Sequence, residues 1–363
     1  MKQTLHHIHH TLIAVILSCC VLPAITSCSD SDIENPIDNN PTEQTDTPPL
    51  IIFDTDIGSS TDDLFALQML HRYQDEGRCR LLGVVVDRIG EDCAACADVM
   101  NTFYGHGNVP IGLARDGINA PKIFYDYRNL HSLTTANGKP MFATTISDYS
   151  TLPEDWKLYR QLLAAQPDQS VCICAVGFLT SLAHLLETQP DDLSPLSGIE
   201  LVRKKVKCLY LMAGIFTSSE EPDYNIVQGI SYAQTFFSLW PKDVNIMFSP
   251  MEVGNEILYP SEQVVSDFSQ TDLHPIKHIY ENFQVFPSQK MWDPLTVIQA
   301  VEGDGRFSLS ARGTASLTEQ GAVIFTPSVN GNCRYQTPGS EAWKAAIVQT
   351  IRKYNMINFP TIQ

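Results

Sequence analysis

The sequence predicts an α/β fold, a mostly parallel central sheet with helices on both faces and an active site at the carboxyl ends of the strands. Short apolar runs such as Leu50-Ile51-Ile52-Phe53 and Val171 to Val176 read as strands buried on both faces. Helix-like stretches alternate with them along the chain, and that alternation specifies parallel strands joined by helical crossovers. The first run also leads into Asp54, Asp56, Asp62 and Asp63, which sit where open sheets of this kind hold ligands.

Residues 1–27 read as a lipoprotein signal peptide. Lys2 and a cluster of histidines precede an apolar run from Leu12 to Ile25, too short to span a membrane comfortably. Ile25-Thr26-Ser27-Cys28 resembles a bacterial lipobox, which implies cleavage before Cys28 and a lipid on its sulfur. An ordinary secretory signal cut nearby is the alternative. The lipid alone would then hold the protein to a membrane of the cell envelope, at the periplasmic face or the cell surface. Residues 28–48 are rich in Ser, Asp, Asn, Thr and Pro, and read as a disordered acidic tether. Its start, Ser29-Asp30-Ser31-Asp32, resembles export signals of bacterial surface lipoproteins.

Residues 49–363 show no linker and no repeat, and so predict one domain. After the Leu50–Phe53 strand, a helix is expected from about Asp62 to Glu76, with Thr61 or Asp62 as N-cap. Residues 79–86 form a second strand, residues 93–107 a helix and residues 109–112 a third short strand. Residues 113–155 lack periodicity and read as a long loop or lid. Helix 158–165, strand 171–176, helix 179–186, strand 206–212, helix 231–239 and strand 244–248 follow. Helices are expected near 261–268, 274–283 and 295–300, a hairpin from 307–311 and 322–326, and a last helix over 341–354.

The four aspartates can be read as a solvated turn with one N-cap. Their position at a strand end and a helix start favours a hard-cation site, since only oxygen ligands are on offer. The spacing is not an EF-hand: counted from Asp54, Ser59 falls where glycine is needed and Phe65 where glutamate is needed. The net charge of −17 argues against nucleic acid or anionic membrane surfaces as partners. Cys93 and Cys96 form a C-x-x-C inside a helix-like run without a second pair, so neither zinc nor redox chemistry is expected there.

Four stretches resemble the nucleoside hydrolase family, the inosine/uridine-preferring N-ribohydrolases. Asp54-Thr55-Asp56 through Asp62-Asp63 looks like the family's DTDxGxDD fingerprint, and Ala175 to Ala183 is similar to its strand-turn-helix segment. Leu211-Met212-Ala213-Gly214 with Asp223-Tyr224-Asn225 resembles its LMGG…EFN region, and Trp292-Asp293-Pro294-Leu295 its carboxyl-terminal HD segment. The resemblance covers nearly the whole folded part. It implies a Ca2+ ion held by Asp56, Asp63, Asp293 and the Val176 carbonyl. It implies Asp56 as the base that takes a proton from water, Asp62 and Asn225 on ribose hydroxyls, and Asp223 near the 5′-hydroxyl. Met212 would lie beneath the sugar. The implied partner is a small-molecule nucleoside. Oligomers are usual in the family, but no stretch here marks an interface.

The chain departs from the family pattern at three places. About two extra residues lie between Asp56 and Asp63, Asp223 replaces a glutamate, and Trp292 stands where many members carry a histidine that protonates the leaving base. In the purine-preferring branch a tryptophan occupies that place and stacks on the base, and Asp92-Cys93 resembles that branch's ADC loop. A purine ribonucleoside is therefore the favoured substrate, with Trp292 stacking on the base and counted with Asp56 as catalytic, and Asp92 among the substrate-binding residues. A plain core role for Trp292 is the alternative. Two rival functions share some of these residues: a non-catalytic Ca2+-dependent nucleoside- or sugar-binding lipoprotein, and a haloacid-dehalogenase-type Mg2+ phosphatase with Asp54 as nucleophile. The phosphatase leaves Asp62-Asp63 and Trp292-Asp293 unexplained.

Overall fold

The computed structural model describes residues 47–58, 60–119, 126–283 and 285–356, all within one compact unit, Asp46–Gln363. Cys28, the predicted leader and nearly all of the predicted tether lie outside the described residues. No helix among the described residues is long and apolar enough to cross a membrane.

In chain order the first elements are β1 (Leu50–Thr55), α1 (Asp62–Asp75), β2 (Arg80–Arg88), α2 (Glu91–Phe103) and β3 (Ile111–Ile118). Next come α3 (Asp155–Ala164), β4 (Val171–Ala175), α4 (Thr180–Glu187), α5 (Gly198–Lys205) and β5 (Val206–Leu211). α6 (Tyr224–Gln228), α7 (Ile230–Leu239), β6 (Asn245–Phe248) and α8 (Met251–Asn255) follow. The last third holds β7 (Leu258–Pro260), α9 (Ser261–Asp267), α10 (Pro275–Asn282), β8 (Ser288–Lys290) and α11 (Trp292–Glu302). β9 (Gly313–Leu317), β10 (Val323–Pro327), β11 (Cys333–Tyr335) and α12 (Glu341–Asn355) end the described chain.

Nine strands form one sheet in the order β10-β9-β11-β6-β5-β4-β1-β2-β3, and β7 pairs with β8 in a separate two-stranded ribbon. The run from β11 to β3 is parallel throughout, while β9 pairs antiparallel with both its neighbours. The predicted architecture is therefore the observed one. Along β1, Ile51 and Phe53 enter one core and Ile52 the other, the period-two alternation of a strand covered on both faces.

The chain builds β2 and β3 on one side of β1, then returns to place β4 on the other. β1 and β4 thus flank a switch in winding direction, and the crevice beyond their carboxyl ends is where such sheets bind ligands. Gly177, just past β4, is required there: a Cβ would collide with the Asp87 carboxylate and the Asp56 amide nitrogen.

Several expectations need correction. The predicted third strand over 109–112 extends through Ile118, and the predicted loop of 113–155 begins only after it. Part of that segment, residues 120–125, lies outside the described residues. The remainder is fastened to α2 by Asp98, whose carboxylate accepts from Thr145 N, Ile146 N and Tyr149 Oη at 3.0, 2.9 and 3.0 Å. The predicted hairpin is shifted: its first strand is Gly313–Leu317, because residues 307–311 are held apart by an isolated bridge from Leu309 to Gln336. α5, α6, α8, β7, β8 and β11 were not expected from the sequence.

Candidate active site

A cavity of about 600 Å³ opens at the switch between β1 and β4. Its acidic floor comes from three places in the chain. Asp56 follows β1, Asp62 and Asp63 open α1, and Asp293 lies in the first turn of α11. Carboxylates in the first turn of a helix face the positive end of its dipole, which lowers the cost of gathering them. Ligand oxygens of Asp62, Asp63 and Asp293 all lie within 4.8 Å of one another, and all three residues are buried. The sequence assigned Asp62 to the sugar and Asp56 to the ion, whereas the geometry groups Asp62 with Asp63 and Asp293.

Electrostatics follow from that crowding. Burial raises the Asp63 and Asp293 carboxyls well above the usual range, and neighbouring carboxylates push them further. Burial brings Asp62 up to about 7 against the opposing pull of the Ser60 hydroxyl. Asp56 rises to about 6, again through burial, with the Arg88 guanidinium holding it down in part. Arg88, at the end of β2, is 2% exposed and donates to the Asp56 carbonyl at 3.2 Å. An all-oxygen set of buried, mutually repelling carboxylates fits a hard divalent cation.

The extended loop before α1 is clamped from outside the fingerprint. Tyr127 accepts from Gly58 N at 3.0 Å and donates to the Ser60 carbonyl at 2.7 Å. Thr61 Oγ1 lies 2.8 Å from Tyr280 Oη and 3.1 Å from Gln289 Oε1. Ser60 donates to Asp62, and Gln289 Nε2 reaches Ser60 Oγ at 3.2 Å. Thr55 donates to Asp63 from the end of β1. Ser60, held by Tyr127 and Gln289, thus aims Asp62.

The other predicted residues divide. Val176, Met212, Asn225 and Trp292 all line the cavity. Asn225 Nδ2 donates to the Val176 carbonyl at 3.1 Å and lies 3.5 Å from Met212 Sδ. Trp292 is fixed by its indole N–H, which donates to the Met251 carbonyl at 3.2 Å, and by Gly254, where any Cβ would strike its ring.

Asp223 does not line the cavity. It is fully buried and spends both oxygens on backbone, accepting from Ile226 N at 3.2 Å and Gly214 N at 3.0 Å as the N-cap of α6. Tyr224 takes the place at the cavity wall. Asp92 also stands apart, in a shallow polar depression with Asp126 and Arg128, its carboxylate 3.5 Å from the Arg128 guanidinium. Cys93 and Cys96 are buried beside it, and burial pushes the Cys93 thiol up to about 12. The sequence reading missed Ser60, Tyr127, Tyr224, Met251, Asn255, Gln289 and Lys290.

A family model for the inosine-uridine preferring nucleoside hydrolases matches residues 51–353. No curated protein matches the chain. Among solved structures, it resembles an inosine-uridine preferring nucleoside hydrolase from Bacillus anthracis at 14% identity and a TM-score of 0.61, over 84% of this chain and 99% of that one. A purine-preferring ribonucleoside hydrolase from Gardnerella vaginalis aligns at 13% identity and a TM-score of 0.59, over 85% and 99%. A plant nucleoside hydrolase gives 15% identity and 0.61, over 85% and 99%.

Proposed function

The chain belongs to the inosine-uridine preferring nucleoside hydrolase family, an enzyme that hydrolyses N-glycosyl compounds, and from that premise we propose that it cleaves purine ribonucleosides with the aid of Ca2+. The observation that carries the proposal is one cavity lined both by a cluster of buried carboxylates and by the Trp292 side chain. Asp62, Asp63 and Asp293 would hold the ion, with Asp56 and the Val176 carbonyl within the same cavity. When bound, the ion orients the sugar hydroxyls and makes water easier to deprotonate.

The chain's own residues do the rest. Asp56 takes the proton of the attacking water. Positive charge builds on the sugar as the N-glycosidic bond breaks, and the surrounding carboxylates stabilise it. The Asn225 amide binds a ribose hydroxyl, and Met212 packs beneath the ring. Trp292 offers an aromatic face to a purine. The purine preference of the Gardnerella vaginalis neighbour agrees with that wall and is otherwise a property of that protein.

The test is ribose release from inosine, adenosine, guanosine and uridine, with Ca2+ or with a chelator. Chelator-sensitive release, fastest on purines and lost in Asp56→Ala, is expected. Release that ignores the chelator would remove the ion, and a uridine preference would remove the purine. The leader, tether and lipid on Cys28 belong to the proposal on sequence pattern alone. Labelled fatty acid should enter the full-length chain in bacteria and fail to enter Cys28→Ala; equal labelling would refute the anchor.

A further inference from the structure

Breaking an N-glycosidic bond separates charge: the sugar becomes positive and the departing base takes the electron pair. The acidic floor serves the sugar, but none of the roles above takes up the charge of the departing base. Among the described residues lining the cavity, Lys290 alone carries positive charge. It ends β8, two residues before Trp292, and its Nζ lies 5.3 Å from the centre of the Trp292 ring. The same Nζ donates to Asn255 Oδ1 at 2.7 Å, and Asn255 also lines the cavity.

The ammonium therefore hangs over the ring that the hydrolase reading gives to the base. An ammonium has three hydrogen-bond donors, and Asn255 occupies one. Charge of both signs lines the cavity before substrate arrives, carboxylates on the floor and one ammonium beside Trp292. A charge that meets charge developing only in the transition state speeds a reaction without tightening substrate binding equally.

We propose that Lys290 is the leaving-group residue of this enzyme. Its ammonium donates a hydrogen bond to an acceptor atom of the nucleobase, a ring nitrogen or an exocyclic carbonyl, and so stands in for the absent histidine. The C1′–N bond breaks with both electrons passing to the base. The water oxygen bonds to C1′ and its proton passes to Asp56. The base departs as an anion hydrogen-bonded to Lys290 and takes a proton from solvent, while Asp56 returns its own to solvent. The favoured substrates are bases with an acceptor on that edge, 6-oxopurines among them.

This inference rests on the hydrolase reading, and two substrates separate their failures. Inosine needs help with its leaving group; p-nitrophenyl β-D-ribofuranoside carries a leaving group that departs as a stable anion without it. Lys290→Met is expected to lower kcat on inosine by about 10²-fold, the scale of one lost transition-state donor, and to cost far less on the p-nitrophenyl riboside. Lys290→Arg should restore most of the inosine rate. Equal losses on both substrates would make Lys290 a structural residue, and an unchanged inosine rate would deny it any role; either overturns the inference. Wild-type protein that releases ribose from neither substrate overturns the hydrolase reading and this inference with it.

Discussion

Arg160 and the aspartates of the cavity are both charges taken out of water, and the chain handles them differently. The Arg160 guanidinium, fully buried, meets Asp191 through two nitrogens at 2.9 and 2.6 Å. It also donates to Thr188 Oγ1 at 2.9 Å and to the Ser194 and Leu196 carbonyls at 3.0 Å each. Those bonds fasten the 188–196 loop to α3 and leave the charge complete in itself. Asp62, Asp63 and Asp293 instead face one another, and burial and mutual repulsion favour their protonated forms. Burial is common to both regions. What separates a staple from a site is whether the protein supplies the opposite charge or leaves it to a ligand.

The largest expected effect breaks the cavity side. In Asp293→Asn, ribose release from inosine should fall by about 10³-fold, or ~4 kcal/mol in the barrier. Its melting temperature in chelator should hold or rise, because a repulsion has been relieved. A sharp drop in melting temperature would mean that the cluster is scaffolding after all. Arg160→Ala tests the converse. Urea unfolding should show a loss of about 3 kcal/mol, since Asp191 and two carbonyls lose their partner, while kcat on inosine stays within a few-fold. A large kcat effect with intact stability would erase the distinction.

Calcium sharpens the contrast further. At one hundred times its Kd, the ion should stabilise the wild-type protein by about 2.7 kcal/mol in thermal unfolding and leave Asp293→Asn unmoved. Equal stabilisation of both would place the ion elsewhere. The last effect concerns a buried group that avoids charge altogether. Burial pulls His71 down from 6.5 to about 3, with help from the neighbouring His106. The unfolded chain binds a proton there that the folded chain refuses, so stability should fall as pH drops from 6.5 toward 3, by up to about 1.4 kcal/mol per pH unit. His71→Gln should flatten that part of the wild-type profile; an identical slope would show that other groups set it.

The strands of the parallel core were legible because burial on both faces demands unbroken apolar runs, as in Ile51-Ile52-Phe53. Three members of the cavity floor were legible because aspartates cluster at one strand end; Asp54 of that cluster instead accepts from Tyr159 Oη at 2.5 Å, and Asp293 was placed by the family resemblance alone. β7 and β8 were not, since three-residue strands such as Ser288-Gln289-Lys290 carry neither an apolar run nor an alternation. Gln289, Lys290 and Tyr127 were lost with their irregular surroundings. Asp223 misled for another reason. Its neighbours match a substrate-binding pattern, but the direction of a carboxylate is set by the local backbone, and here the α6 and Gly214 amides claim it first. Asp92 is likewise turned toward Arg128.

The packing of α1 against α11 has a consequence in time. Asp56, Asp62 and Asp63 leave the ribosome early and Asp293 late, so a growing chain carries three members of the cluster long before the fourth. A cation has no complete cage to enter until most of the sheet has formed. Ion binding would therefore seal a finished molecule rather than template an emerging one, and a chain halted before α11 would gain nothing from it.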